Sequence, residues 1–318
     1  MSEPQSIVVR AYAKINLALS VATSEPAERG GGINPFAGYH PLASWMAMID
    51  LHDRIEVTAR AEGEPSEYLV GWDPEAPRPT PVDWPIASDL SARAHRALES
   101  VVGRALPVKV VVSKRIPVGS GMGGGSSDAA ATLRAVRAVH GLGLDDAALR
   151  AVARGLGSDV PFFLSARPAA VIEGLGEVVT PVSPVGGHVI AVIPPVGCPT
   201  AAVYKAFDRL GATRSEPERE RVRALASAGA LDPMQLFNDL QAAAIEVEPS
   251  LSGVVRSLEE ATGSRVMMTG SGSAVLVFPG DNPASTMTRI ERAKSGGDAR
   301  LAGCVAMVCR LLGDGEMG

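Results

Sequence analysis

From Ala13 to Val21 apolar and polar residues alternate, with Ile15, Leu17, Leu19 and Val21 on one side and Lys14 and Asn16 on the other. A period of two predicts a half-buried strand, led into by Ile7-Val8-Val9, and sets the lysine and the asparagine together on its opposite face. Further strands are predicted at residues 55–58, 108–112, 170–172, 177–179, 188–193, 266–268, 274–278 and 304–308, with an apolar stretch from Leu42 to Leu51. Helical spacing takes over in between. Leu90, Ala94 and Ala97 form a stripe behind the cap Ser88-Asp89 and run to about Val102. Ala129, Leu133 and Val136 form a second stripe that stops at Gly141, and Leu149, Val152 and Leu156 a third that opens at Asp145. Helices are also predicted near residues 201–207, 233–246 and 251–260. Residues 23–37 read as a turn-rich, mobile loop, and Glu62 to Trp84 as a Pro-, Glu- and Asp-rich surface excursion.

Strands interspersed with helices on both sides of a Pro/Gly/Ser connector at 181–187 predict an α+β fold in two domains, residues 1–182 and 183–318. A chain of 318 residues is long enough for both, and 46% apolar with 20% charged residues describes an ordinary soluble globular protein. Aromatics make up only 4%, so the core falls to Val, Leu, Ile and Ala. A net charge of −5 argues against a broad nucleic-acid surface, so any polyphosphate must be held by local donors. Met1 to Gln5 has neither a basic stretch nor an apolar core of a signal peptide. The run Val189 to Val196 is too short for a bilayer and is broken at Pro194-Pro195. A cytoplasmic protein with no membrane partner, a monomer or weak homodimer, is expected. Cys198, Cys304 and Cys309 lack zinc-site spacing and read as buried, idle thiols of a reducing compartment.

The candidate chemistry concentrates at Pro117 to Asp128, where Gly119, Gly121, Gly123, Gly124 and Gly125 precede two serines and an alanine-rich helix. Glycines let successive N–H groups converge, and a helix start adds unpaired donors and a positive dipole end; together they suit a polyphosphate. A P-loop needs a lysine before the closing hydroxyl, and none stands before Ser126-Ser127. Gly119, Gly121 and Gly124 match the dinucleotide pattern. The second strand with its acidic end is missing, since Leu144 to Leu149 starts a helix instead. The third pattern, P-x-x-x-G-x-G-G/S-S-S, fits from Pro117 to Ala130 and resembles the phosphate loop of the GHMP kinases (galactose, homoserine, mevalonate and phosphomevalonate kinases).

Ala13-Lys14-Ile15-Asn16-Leu17, Gly38-Tyr39-His40, Gly157-Ser158-Asp159-Val160-Pro161-Phe162, Thr200 to Tyr204 and Thr269-Gly270-Ser271-Gly272-Ser273 extend that resemblance over nearly the whole chain. It implies a two-domain GHMP kinase fold, with a ribosomal-protein-S5-domain-2-like N-terminal half and a ferredoxin-like α/β sandwich as C-terminal half. It implies ATP and Mg2+, with nucleotide contacts from Pro117, Val118, Gly119, Ser120, Gly121, Met122, Gly123, Gly124, Gly125, Ser126 and Ser127, and no dedicated metal ligand. Asp159 would be the catalytic base and Lys14 its charge-compensating partner. A cytidine-diphosphate-linked methylerythritol, phosphorylated on its 2-hydroxyl, would be held by Asn16, Tyr39, His40, Tyr204, Thr269 and Gly270.

Local sequence alone leaves other roles open. Asp159 reads equally as a helix cap, Lys14 as a solvated strand lysine, and Ser126 and Ser127 as N-caps. Homoserine- or mevalonate-type kinases, or a nucleotide binder without turnover, are the rival readings. Two departures stand out: a longer Gly/Pro loop ending in Phe36-Ala37 replaces the family's Arg-x-Asp and short turn, and Asp89-Leu90 stands where Asn-Leu is usual. Lys114 is a weaker candidate for the nucleotide side.

Overall fold

The structure, a computed structural model, describes residues 5–26, 28–29, 32–34, 37–211 and 214–316. Its first strand, β1 (Ser6–Val21), is longer than expected and continuous. The loop that follows includes a short ribbon of β2 (Glu28–Arg29) and β3 (Gly32–Ile33); residues 27, 30, 31, 35 and Phe36 of the expected mobile loop lie outside the described residues. The apolar stretch and the strand after it fuse into one long strand, β4 (Leu42–Ala59), antiparallel to β1. The register between them slips between Tyr12 and Ala13 and again between Asn16 and Ala18. Irregularities of this kind re-aim side chains, and here they bracket Lys14 to Asn16.

The alternation in β1 predicts one wet face, and here the structure differs. Lys14 and Asn16 are 4% and 1% exposed, beside Ile15 and Leu17 at 0%. The polar face is covered by the rest of the molecule and satisfied by hydrogen bonds. The excursion at 62–84 also contains a strand, β5 (Glu67–Trp72), followed by α1 (Leu90–Val102) and β6 (Val108–Lys114). β5 is parallel to β6 at the sheet edge. Asp89 caps α1 by accepting from the Ser91 amide.

After the glycine run come α2 (Gly124–Val139), α3 (Asp146–Arg154) and the short α4 (Val160–Leu164), then β7 (Ala169–Gly174) and β8 (Val178–Pro181). β4 is long enough to serve two neighbours along one edge: residues 54–59 pair with β6 and 42–47 with β7. The second half runs β9 (His188–Ile193), α5 (Thr200–Arg209), α6 (Arg219–Ser227), β10 (Phe237–Asn238), α7 (Gln241–Val247) and α8 (Ser250–Thr262). It closes with β11 (Val266–Met268), β12 (Val275–Val277), α9 (Pro283–Ser295) and β13 (Val305–Arg310). A four-stranded sheet in the order β11-β12-β9-β13 is antiparallel throughout.

The helix expected over 233–246 is broken into a single turn at Pro233–Gln235, then β10 and α7. β10 pairs in parallel with Ala18 and Leu19 of β1, so a strand from the second half completes the first sheet. The Asn238 side-chain amide donates to the carbonyls of Met268 and Gly270 at 3.0 and 2.8 Å, which fixes the break. Helix α6 was not foreseen because only Val222 and Ala226 of its nine residues are buried, too sparse a stripe for periodicity. The three cysteines are free and buried as expected; burial pushes the Cys309 thiol up to about 12. Among the described residues no helix is long and apolar enough to cross a membrane.

One buried network determines where the strand before the glycines ends. Asp53 of β4, fully buried, accepts from the amides of Arg115 and Ile116 at 2.5 and 2.7 Å and from the Lys114 ammonium at 2.5 Å. The same ammonium donates to Asp128 in the first turns of α2 at 2.7 Å. Burial lowers the pKa of Lys114, but Asp128 and Asp53 outweigh it and leave the ammonium above its ordinary value. Burial, and then Asp53, hold the Asp128 carboxyl well above the usual range against the pull of Lys114. Lys114→Met would leave two carboxylates buried without a cation, and a loss of about 3–5 kcal/mol is expected. The urea midpoint reads this directly; a midpoint equal to wild type would show that the network does not hold the fold.

Candidate active site

The glycine run lines a cavity of 530 Å³ between the two halves. Gly119, Gly121 and Gly123 take φ values of 70, 78 and 72°, so every second residue is left-handed. Such alternation turns neighbouring amides toward a common centre. Helix α2 begins at Gly124 with Gly123 as its N-cap and no side chain on its first amides. Ser126 and Ser127 are therefore inside the helix rather than caps. The Ser126 hydroxyl lines the cavity, whereas Ser127 is 2% exposed and turned into the core.

Two of the glycines are required by crowding. A Cβ on Gly121 would strike the Thr269 carbonyl and reach the Gly272 amide at 3.0 Å. One on Gly123 would meet the Phe163 ring at 2.9 Å and the Lys14 stem at 3.1 Å. The run is clasped from both sides: the Lys14 amide donates to the Met122 carbonyl at 3.0 Å, and the amides of Ser273 and Ala274 donate to Gly119 and Ser120 at 3.1 and 3.0 Å.

The Lys14 ammonium reaches Asn16 Oδ1 at 2.7 Å and lies 3.4 Å from a carboxylate oxygen of Asp159. Asn16 is itself held, its amide nitrogen donating to Ser44 Oγ at 2.8 Å and its backbone N–H to Thr269 Oγ1 at 2.8 Å. Ser44 passes the chain on to the Ala18 carbonyl at 2.9 Å. Lys14 is thus no solvated strand lysine. Asp159 stands at the N-cap position of α4, but its side chain makes no capping bond. It faces the cavity with Ser158 and Gly157.

The other expected residues divide. Pro117 to Ser126, Tyr204 and Gly270 line the cavity; Thr269 lies behind its wall, bound to Asn16. Burial, and then the charge of Asp159, push the Tyr204 hydroxyl above its ordinary pKa. His40 does not line the cavity, but its ring packs against Tyr204 at a tilt of 41° with centroids 4.8 Å apart, and its Nε2 bonds Asp208 at 2.8 Å. Tyr39 is 62% exposed and stands outside the cavity. Lys114, the weaker candidate for the nucleotide side, contributes to the wall, with its ammonium committed to two carboxylates.

Sequence reasoning missed Trp84, Ser158, Thr200 and Ser271, all on the cavity wall. Trp84 lies in the segment read as a surface excursion; its indole donates to Asp89 at 3.0 Å, so the residue that stands in place of the usual asparagine orients an aromatic ring on the cavity wall. Ser158 and Ser271 are within motifs already singled out. Thr200 and Ser271 meet at 3.0 Å between their hydroxyls.

Residues 89–167 match the model of the GHMP kinases N terminal domain. The 4-diphosphocytidyl-2-C-methyl-D-erythritol kinase of Polaromonas sp. (strain JS666) is 37% identical over 276 residues, 85% of this chain and 82% of that protein. The enzyme of the same name from Streptomyces coelicolor is 33% identical over 296 residues, 91% and 93% of the two chains. A crystal structure of 4-(cytidine 5'-diphospho)-2C-methyl-D-erythritol kinase superposes with a TM-score of 0.69 at 30% identity, covering 96% of this chain and all of the other (100%). L. major mevalonate kinase, in complex with R-mevalonate, shares the fold at a TM-score of 0.64 and 15% identity.

Gly121→Ala forces a left-handed alanine against a backbone carbonyl and is expected to cost about 1–3 kcal/mol, lowering the urea midpoint. Gly125→Ala is the control, since its added carbon meets only the Leu90 side chain, at 3.2 Å. An equal loss in both variants would contradict the close approach at Gly121.

Proposed function

The chain belongs to the 4-diphosphocytidyl-2-C-methyl-D-erythritol kinases of the GHMP family, and from that premise we propose that it transfers the γ-phosphoryl group of ATP to the 2-hydroxyl of 4-diphosphocytidyl-2-C-methyl-D-erythritol, releasing ADP in isoprenoid precursor synthesis. The observation that carries this reading is the Lys14–Asp159 pair, 3.4 Å apart, in the cavity that the glycine run lines.

Phosphoryl transfer asks for cradled phosphates, charge compensation and an oriented hydroxyl. The amides of residues 119–125 and the start of α2 supply the cradle. Asp159 accepts the proton of the substrate hydroxyl as its oxygen bonds to the γ-phosphorus and the bond to the β-phosphate oxygen breaks. Lys14, aimed by Asn16, offsets the negative charge that develops between them. Magnesium favours phosphate oxygens, water and one or two protein oxygens. The Ser126 hydroxyl, which has no hydrogen-bond partner among the described residues, and the Asp159 carboxylate suit such an ion, which would neutralise the triphosphate.

Tyr204, with His40 packed behind it, offers a flat, buried face for the cytosine. Asp208 requires the proton of a neutral His40 ring to be on Nε2, leaving Nδ1 as the acceptor. Gly270, whose added Cβ would come 3.2 Å from Asn16 Oδ1, lets the substrate diphosphate approach the turn that Thr269 anchors, and Tyr39, exposed outside the cavity, is left to contact the base only at the rim. Trp84 packs on the adenine.

Purified protein is expected to release ADP with the cytidylylated methylerythritol and to be far slower with mevalonate or homoserine, measured by coupled ADP detection. Equal rates on all three would overturn the substrate. Asp159→Asn is expected to lower kcat by about 10²–10⁴ with KM nearly unchanged; a wild-type kcat would remove Asp159 as the base.

A further inference from the structure

A second cavity, 330 Å³ in volume, lies among α2, α3, α4 and β8 and shares no lining residue with the first. Arg134, Arg137, Arg150 and Arg167 reach into it against a single carboxylate, Asp146. Asp146 is already paired with Arg137 at 2.9 Å. Arg134 donates to the Phe163 carbonyl at 2.7 Å and has no carboxylate partner among the described residues. Burial, followed by the charge of Arg137, holds its guanidinium below the ordinary value. Arg150 and Arg167 are exposed and make no ion pair or hydrogen bond among the described residues. The remaining wall is Leu149, Pro161, Leu164, Val179 and Pro181, apart from Ser165, whose hydroxyl donates to the Phe162 carbonyl at 2.6 Å.

Gathering like charges around a concave surface is unfavourable unless an anion joins them, and the low-dielectric wall strengthens their common field. Guanidinium groups match phosphate oxygens in pairs. The volume is at the small end for ligand sites and leaves room for a headgroup and a short tail. We propose that this pocket is a second ligand site, separate from the catalytic cavity, for a small phosphorylated molecule whose apolar portion rests on the Leu149–Pro161–Leu164 wall.

Isothermal titration of the full-length protein with n-butyl phosphate and with inorganic phosphate tests this. The comparison is with Arg150→Ala/Arg167→Ala, whose two side chains are exposed and outside the catalytic machinery, so kinase activity in the double variant should match wild type. Wild type is expected to bind butyl phosphate more tightly than inorganic phosphate, and the double variant at least about tenfold more weakly than wild type. Identical isotherms for the two proteins would assign all phosphate binding to the glycine run and overturn the proposal. So would equal affinity for the two probes, which would leave the apolar wall without a role. Arg134→Gln, checked for folding by its urea midpoint, should weaken butyl phosphate as well; wild-type affinity in a folded variant would also count against the site.

Discussion

A carboxylate with no access to water governs the geometry of this molecule. Asp53 gathers two successive amides and one ammonium, and each of those donors marks the point where β6 gives way to the glycine run. Because Lys114 also holds Asp128, the strand end and the first turns of α2 are tied to one centre, and the glycines between them have fixed ends. A phosphate cradle built from main-chain amides has no side chains to adjust its aim. Its donors point correctly only if both ends of the run are held. Buried ion networks are weak contributors to net stability compared with apolar packing. Here the network's effect is positional, and it accounts for three charged groups lying beneath a run whose own donors are neutral amides.

The free side of the run is held by the other half of the chain. The turn at Thr269 to Ala274 donates two amides to the carbonyls of Gly119 and Ser120, approaches Gly121 too closely for a side chain, and binds Asn16 through Thr269. Asn238 then ties that turn to β10, which is a strand of the first sheet. The cleft is therefore closed into a ring of main-chain and side-chain contacts, and Lys14 and Asp159 project into it from a strand and a helix start. Placement on such elements limits the freedom that positioning must otherwise overcome.

Much of this was legible in the residues, and the gaps have physical causes. Pattern reading finds β9 and β11 at their full extent because each is a short apolar run with marked ends. It finds β1 as well but misjudges its burial, since alternation cannot distinguish a wet polar face from one buried against a cleft. β10 escapes because two residues carry no period at all; its pairing with Ala18 and Leu19 depends on contacts over 200 residues away in sequence. β5 escapes because Pro and acidic residues flank a six-residue edge strand that is only half covered. In the site, motifs carry Lys14, the glycines and Asp159, whereas Trp84 has no local signal; only the fold brings its ring to Asp89.

Lys14 and Lys114 show where sequence reasoning stops. Both are strand lysines, each 4% exposed, and each lies beside the glycine run. Lys114 is saturated: two carboxylates at 2.5 and 2.7 Å neutralise it within the core. Lys14 has one neutral partner at 2.7 Å and one carboxylate at the longer distance of 3.4 Å, with the cavity before it. An ammonium donates in three directions; Lys114 commits two of them to buried carboxylates, whereas Lys14 commits one to the neutral Asn16 side chain. The difference arises from Asp53, 61 residues before Lys114, and from Asn16, two residues after Lys14. A cation completed by neighbours can only support; one left partly unmatched beside an acid can answer charge that appears during a reaction. That contrast, set by partners rather than by residue type, separates the structural lysine from the one proposed for the point of transfer.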